Sequence, residues 1–135
     1  MAEVQRTLVL VKPDGVRRRL IGEVIARIEA KGYDIADMKL MKVDDQLARE
    51  HYAEHNEKPF FGDLVAFITS GPVIAMVVEG PDAVSGTRRI MGATNPLDAV
   101  PGSLRGDFAT EIGANIVHGS DSPESAEREV KLFFG

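Results

Sequence analysis

The sequence predicts an α/β chain on a ferredoxin-like βαββαβ core, a four-stranded antiparallel sheet carrying helices and one long loop. Three observations point there. Two apolar runs, residues 7 to 11 and 72 to 78, lack alternation and read as strands buried on both faces. A third stretch, residues 34 to 43, alternates Ala36, Met38 and Leu40 with Asp37 and Lys39, as expected of an edge strand with one wet face. Helical stripes fall between and after these strands, in the order β-α-β, short helices, β-α, long loop, β-α.

The elements follow from local chemistry. Lys12 ends the first strand, and Asp14 is placed to cap a helix reaching Lys31, with Gly32 as its stop. Leu20, Ile21, Val24, Ile25 and Ile28 form the apolar stripe of that helix. Short helices are expected near residues 45 to 54 and 61 to 69, separated by Lys58-Pro59. Asp82 is placed to cap a helix ending near Met91. Residues 92 to 115 show no period, and a loop that long inside a compact domain is usually functional. Ile116-Val117-His118 reads as a short strand, and Ser122-Pro123 opens the last helix with proline in its first turn. With no repeat or linker, residues 1 to 135 are expected to form a single domain.

Composition removes several kinds of function. The chain has no cysteine, so disulfide frameworks, thiolate nucleophiles and zinc-thiolate clusters are excluded. The N-terminal apolar run breaks at Lys12, too early for a signal peptide or a membrane span, and a cytoplasmic, soluble protein without a membrane partner is expected. A net charge of -5 argues against an obligate nucleic-acid partner. There is no Walker loop, dinucleotide fingerprint or nucleophile-elbow serine, so a phosphate site would have to be built from side chains.

Such side chains stand at element ends. His118 lies between a strand and a capped helix, a place where a histidine can face a pocket. On the last helix Glu129 shares the inward face of Ala126, Val130 and Phe133, and a carboxylate there needs a partner. His118 is the natural one, because a carboxylate on one ring nitrogen leaves the other nucleophilic. Lys12, Arg88, Thr94 and Arg105 supply cations and donors matched to phosphate oxygens. Arg88 is followed by Arg89, and spacing alone does not say which points inward. His51-Tyr52-Ala53-Glu54-His55 matches the inverted zinc-protease pattern, but the helix stops before Pro59 and no third ligand is evident, so no metal ligand is assigned.

The block Asn115-Ile116-Val117-His118-Gly119-Ser120-Asp121-Ser122, continued by Glu124-Ser125-Ala126, resembles the active-site signature of the nucleoside diphosphate kinases. Thr7 to Gly15, His51-Tyr52, Lys58-Pro59-Phe60-Phe61, Thr69-Ser70-Gly71-Pro72, Thr94-Asn95-Pro96 and Pro101 to Phe108 are similar to that family in the same order, over essentially the whole chain.

The resemblance implies a kinase domain that moves the γ-phosphoryl group of a nucleoside triphosphate to a nucleoside diphosphate, in ping-pong fashion through a phosphohistidine. It implies His118 as the phosphorylated residue, with Glu129 and Ser120 orienting it. Lys12, Tyr52, Arg88, Thr94 and Arg105 would surround the phosphates, Asn115 and Lys12 the ribose, and Phe60, Leu64 and Ile112 the base. It also implies Mg²⁺ carried on the nucleotide phosphates, and a homo-oligomer, tetramer or hexamer, built from dimers. Ile112 stands where the family usually has valine, and Arg89 where an apolar residue is common; nothing in the sequence explains Arg89. An RNA-recognition domain of the same fold would carry stacking aromatics on its strands, and none precedes Tyr33 here. An inactive relative would be expected to lose some of the matched residues, and all are present.

Overall fold

Strand β1 (Val4–Val11) is buried on both sides from Thr7 onward, and the rest of the fold is arranged around it. A computed structural model describes residues 3–135. β3 (Val73–Pro81) pairs antiparallel with β1 along its length, β2 (Asp34–Met41) lies outside β3, and β4 (Val117–Gly119) outside β1. The sheet order is β2-β3-β1-β4, with every pairing antiparallel, as the sequence predicts.

Alternation along β1 sends its side chains to two cores, which is why the stretch from Leu8 to Val11 shows no polar positions. Val9 and Val11 join one core with Val24 and Ile28 of α2 (Ile21–Lys31) and Ala83 and Met91 of α5 (Ala83–Met91). Leu8 and Leu10 join the other, with Ala48 of α3 (Asp45–His51), Val65 and Ile68 of α4 (Phe61–Ile68) and Phe133 of α7 (Pro123–Phe134). The second face is therefore covered by elements added to the βαββαβ core.

Four local expectations are corrected. The first helix is two: α1 (Pro13–Arg17) ends before Arg19, whose φ of 61° takes the chain through the left-handed region before α2 begins. Asp14 does not cap α1 but turns its carboxylate to the Ile116 N–H. Asp82 sits at the start of α5 with no side-chain cap bond, and Gln5 Oε1 instead accepts from the Val84 N–H. In β2 a bulge between Ile35 and Asp37 switches the alternation. Ile35 packs on one core and Met41 on the other, leaving Met38 and Leu40 47% and 65% exposed.

The long segment is more ordered than its sequence suggests. Asn95 caps a 3₁₀ turn at Pro96–Asp98, and Ser103 caps α6 (Leu104–Phe108) by accepting from the Gly106 N–H. Arg27 of α2 ties α6 down through Asp107, 2.9 Å away, and the Gly102 carbonyl. No helix among the described residues is long and apolar enough to cross a membrane.

Candidate active site

The pairing of β4 with β1 brings His118 opposite Leu10, one residue before β1 ends at Val11 and two before Lys12 begins the turn. On the far side of this edge, α7 is anchored by Ser122, whose hydroxyl accepts from the Ser125 N–H, and by burial of Ala126 and Phe133. That stripe carries Glu129 inward. Glu129 Oε1 accepts from His118 Nε2 at 2.7 Å and from Ser120 Oγ at 2.9 Å. Ser120 is itself fully buried and held to Leu8 through backbone and side chain.

The electrostatics of this triad follow from its burial. Desolvation pushes the Glu129 carboxyl up, but hydrogen bonds from His118 and Ser120 and electrostatic attraction from the His118 and His51 rings outweigh it and hold the group below its usual value. Glu129 is thus ionised at neutral pH and fixes the proton of His118 on Nε2. Nδ1 has no hydrogen-bond partner among the described residues and keeps its lone pair.

His118 opens into a cavity of about 610 Å³. Every site residue named from the sequence lines it, with the exception of Ser120, which stands behind Glu129. Lys12, Arg88 and Arg105 make one end cationic, with Thr94, Asn115 and Tyr52 as neutral donors or acceptors nearby. Lys12 Nζ donates to Asn115 Oδ1 at 2.5 Å, and Asn115 Nδ2 donates to the Thr94 carbonyl at 2.9 Å. Burial lowers Lys12 to about 8, an effect that Asp14 opposes and Arg105 adds to. Burial likewise pushes Tyr52 up to about 12, so its phenol remains a donor. The other end is apolar and open: Phe60 is 44% and Ile112 59% exposed, with Leu64 half-buried beside them.

Arg88 and Arg89 are now distinguished. Arg88 lines the cavity and donates to the Gly119 carbonyl at 2.9 Å, whereas Arg89 is exposed on the outer face of α5. Arg105 is more deeply placed than a phosphate ligand requires. Its Nε, Nη1 and Nη2 donate to the carbonyls of Asn115, Gly92 and Val117, which leaves one N–H on each terminal nitrogen for a ligand.

Sequence reasoning missed several lining residues, two of which touch the residues at the centre of the site. Phe67, one helical turn beyond Leu64, lies under Lys12 Nζ at 5.7 Å, and its spacing from Leu64 on α4 was an available signal. His51 packs edge to ring with His118 at 4.6 Å and is held neutral, down to about 3, by burial and then by the nearby His118. The helix ends at His51, so His51 and His55 do not share a helical face: His55 lies instead against Phe60.

The chain as a whole is similar to known proteins. The family model described as nucleoside diphosphate kinase matches residues 5–135. A nucleoside diphosphate kinase of Rubrobacter xylanophilus is 62% identical over 132 residues, 98% of this chain and 99% of that one. One from Thermus thermophilus is 60% identical over 131 residues, covering 97% and 96%. Among solved structures, a halophilic nucleoside diphosphate kinase from Halobacterium salinarum in complex with CDP superposes with a TM-score of 0.94 at 54% identity, over 99% of this chain and 88% of that one. A family protein from Babesia bovis gives 0.94 at 45% identity, over 96% and 88%. A histidine oriented by a buried carboxylate, at the cationic end of a pocket with an open apolar mouth, is therefore found in a chain that belongs to the nucleoside diphosphate kinase family.

Proposed function

We propose that the enzyme carries the phosphoryl group on Nδ1 of His118 as it passes from a nucleoside triphosphate to a nucleoside diphosphate. The observation that carries this is the 2.7 Å bond between Nε2 and Glu129, which commits one ring nitrogen and frees the other. In the first half-reaction the Nδ1 lone pair attacks the γ-phosphorus, the bond to the bridging oxygen breaks, and its electrons stay on the departing diphosphate. Glu129 stabilises the positive character that the ring gains. The second half-reaction runs the same step backwards onto another diphosphate, so one pocket serves both.

Lys12, Arg88 and Arg105 are read as the groups that meet the phosphates, with Tyr52 and Thr94 as neutral donors and Asn115 beside Lys12 for the ribose. The relative from Halobacterium salinarum holds CDP, which supports a nucleotide in this pocket. Mg²⁺ fits as part of the substrate. The lining is cationic where phosphates would lie, Glu129 is engaged, and Glu54, Asp63 and Asp121 are exposed. The one group of three potential ligands among the described residues, His51, His118 and Glu129, is imidazole-rich and suits softer ions. On the nucleotide, Mg²⁺ neutralises phosphate charge. A cytoplasmic setting and a homo-oligomer belong to the same reading, the latter supported by the free edge of β2 with its exposed Met38 and Leu40.

The direct test is brief incubation with γ-labelled ATP. The expected phosphoenzyme is acid-labile and alkali-stable, with phosphorus on Nδ1 by NMR; label on Nε2 or on a serine contradicts the reading. Two further results are expected. Glu129→Gln keeps the shape and removes the charge that fixes the tautomer, and should slow phosphoenzyme formation by roughly ten- to a hundred-fold, as loss of an orienting partner does. An unchanged rate would make the carboxylate a bystander. At the apolar mouth, Phe60, Leu64 and Ile112 offer stacking without hydrogen-bond reading, so GDP, CDP, UDP and ADP should serve as acceptors with modest differences. A preference above roughly a thousand-fold for one base would require a polar contact that Phe60, Leu64 and Ile112 do not supply.

A further inference from the structure

We propose that Asp14 is a positioning residue for His118: its buried carboxylate locks a strained turn at Ile116, and that turn sets where Asn115 and His118 stand in the wall of the pocket. The inference rests on His118 being the phosphorylated residue.

Ile116 has a φ of 74°, a region that β-branched side chains rarely adopt. The Val117 N–H donates to the Asn115 carbonyl at 2.8 Å, closing a three-residue turn of the rare, strained kind around Ile116. Asn115 precedes the strained residue and His118 follows it by two, so the turn fixes the direction of both. Strain of this sort persists only where surrounding contacts impose it.

Asp14 supplies such a contact. Its Oδ2 accepts from the Ile116 N–H at 3.0 Å, while the Ile116 carbonyl accepts from the Lys12 N–H at 2.8 Å, so both polar groups of the strained residue are taken by the turn after β1. The packing leaves no slack. A Cβ on Gly15 would lie 2.8 Å from a methyl of Val11 and 3.0 Å from both the side chain and the carbonyl of Ile116. Asp14 itself is 6% exposed, makes no helix cap, and its Oδ1 is buried with no hydrogen-bond partner. A buried, half-satisfied carboxylate is costly unless it does something specific.

Asp14 also offsets the charge of Lys12 and Arg105, and that effect must be separated from the clamp. Asp14→Asn removes the charge but keeps an oxygen that can accept from Ile116; Asp14→Ala removes both. In single-turnover phosphorylation of His118 by saturating ATP, Asp14→Ala should be slower by roughly ten- to a hundred-fold, with little change in ATP affinity. Asp14→Asn should keep most of the wild-type rate. In the wild type, the Ile116 amide should be protected from hydrogen exchange.

Wild-type kinetics for a folded Asp14→Ala overturn the proposal. An Asp14→Asn variant that is folded but as slow as Asp14→Ala also overturns it, because the charge alone would then be responsible. So does an Ile116 amide that exchanges as fast as those at 111–113. If Asp14→Ala does not fold, the rate of Asp14→Asn and the wild-type exchange decide. Failure of the wild type to label at His118 would instead refute the phosphohistidine reading.

Discussion

Replacing His118 with Asn is expected to abolish both nucleotide exchange and the acid-labile phosphoenzyme, while leaving the fold in place. The size of the loss follows from the geometry. In the proposed reaction Nδ1 of His118, the ring nitrogen that the Glu129 bond leaves free, is the nucleophile, and asparagine offers no comparable lone pair. Loss of a nucleophile that acts with its partners as a unit costs at least on the order of 10⁴-fold. Stability should change little, since His118 has 22% of its side chain exposed and Ser120 still satisfies Glu129 Oε1. Steady-state exchange and labelling with γ-labelled ATP check the expectation, with a melting curve as the control for folding. A variant that turns over normally with label elsewhere would refute the assignment.

Removing the 3′-hydroxyl of the nucleotide should slow phosphoryl transfer by on the order of a hundred- to a thousand-fold, the usual effect of losing one well-aimed donor at a developing charge. Lys12 and Asn115 are joined at 2.5 Å, and Asn115 is held by the Thr94 carbonyl. This pair sits with the phosphate-facing cations and away from Phe60 and Ile112 at the mouth. A sugar hydroxyl bound there lies close to the oxygen on which negative charge appears as the phosphoryl group leaves. Interactions that strengthen only in the transition state raise turnover more than affinity. Single-turnover phosphorylation by ATP, 2′-deoxy-ATP and 3′-deoxy-ATP, with binding measured separately, should show the loss in rate for the 3′-deoxy compound alone. Equal rates for all three would sink the idea.

The parts of the fold that were legible are those where one face or both faces of an element meet a core. β1 and β3 show unbroken apolar runs because both sides are covered, and α7 shows a stripe because one side is. Glu129 was conspicuous as a charge within that stripe. The break at Arg19 was hidden because arginine carries no turn signal, and the chain turns there to bring α2 over the sheet. The bulge in β2 was hidden because an alternating run reads the same before and after a one-residue slip. α6 has only five residues, too few to show a period. At the site, the choice between Arg88 and Arg89 was decided by the packing of α5 against β4, which puts Arg88 within reach of the Gly119 carbonyl. His51 could be seen only as part of a local pattern. Its contact with His118 joins α3 to β4, and no spacing encodes such a contact.

Arg105 has a consequence for how the pocket meets its ligand. One guanidinium holds the carbonyls of Gly92, Asn115 and Val117, the two ends of the long segment and the strand that carries His118. The conformational freedom of residues 92–115 is therefore surrendered when the chain folds, rather than when a nucleotide arrives. The wall that Arg105 ties together is thereby set before a ligand arrives, and it meets an incoming triphosphate and an incoming diphosphate in the same form. For an exchange whose forward and reverse steps are chemically alike, a wall fixed in this way needs no reset of its own between one substrate and the next.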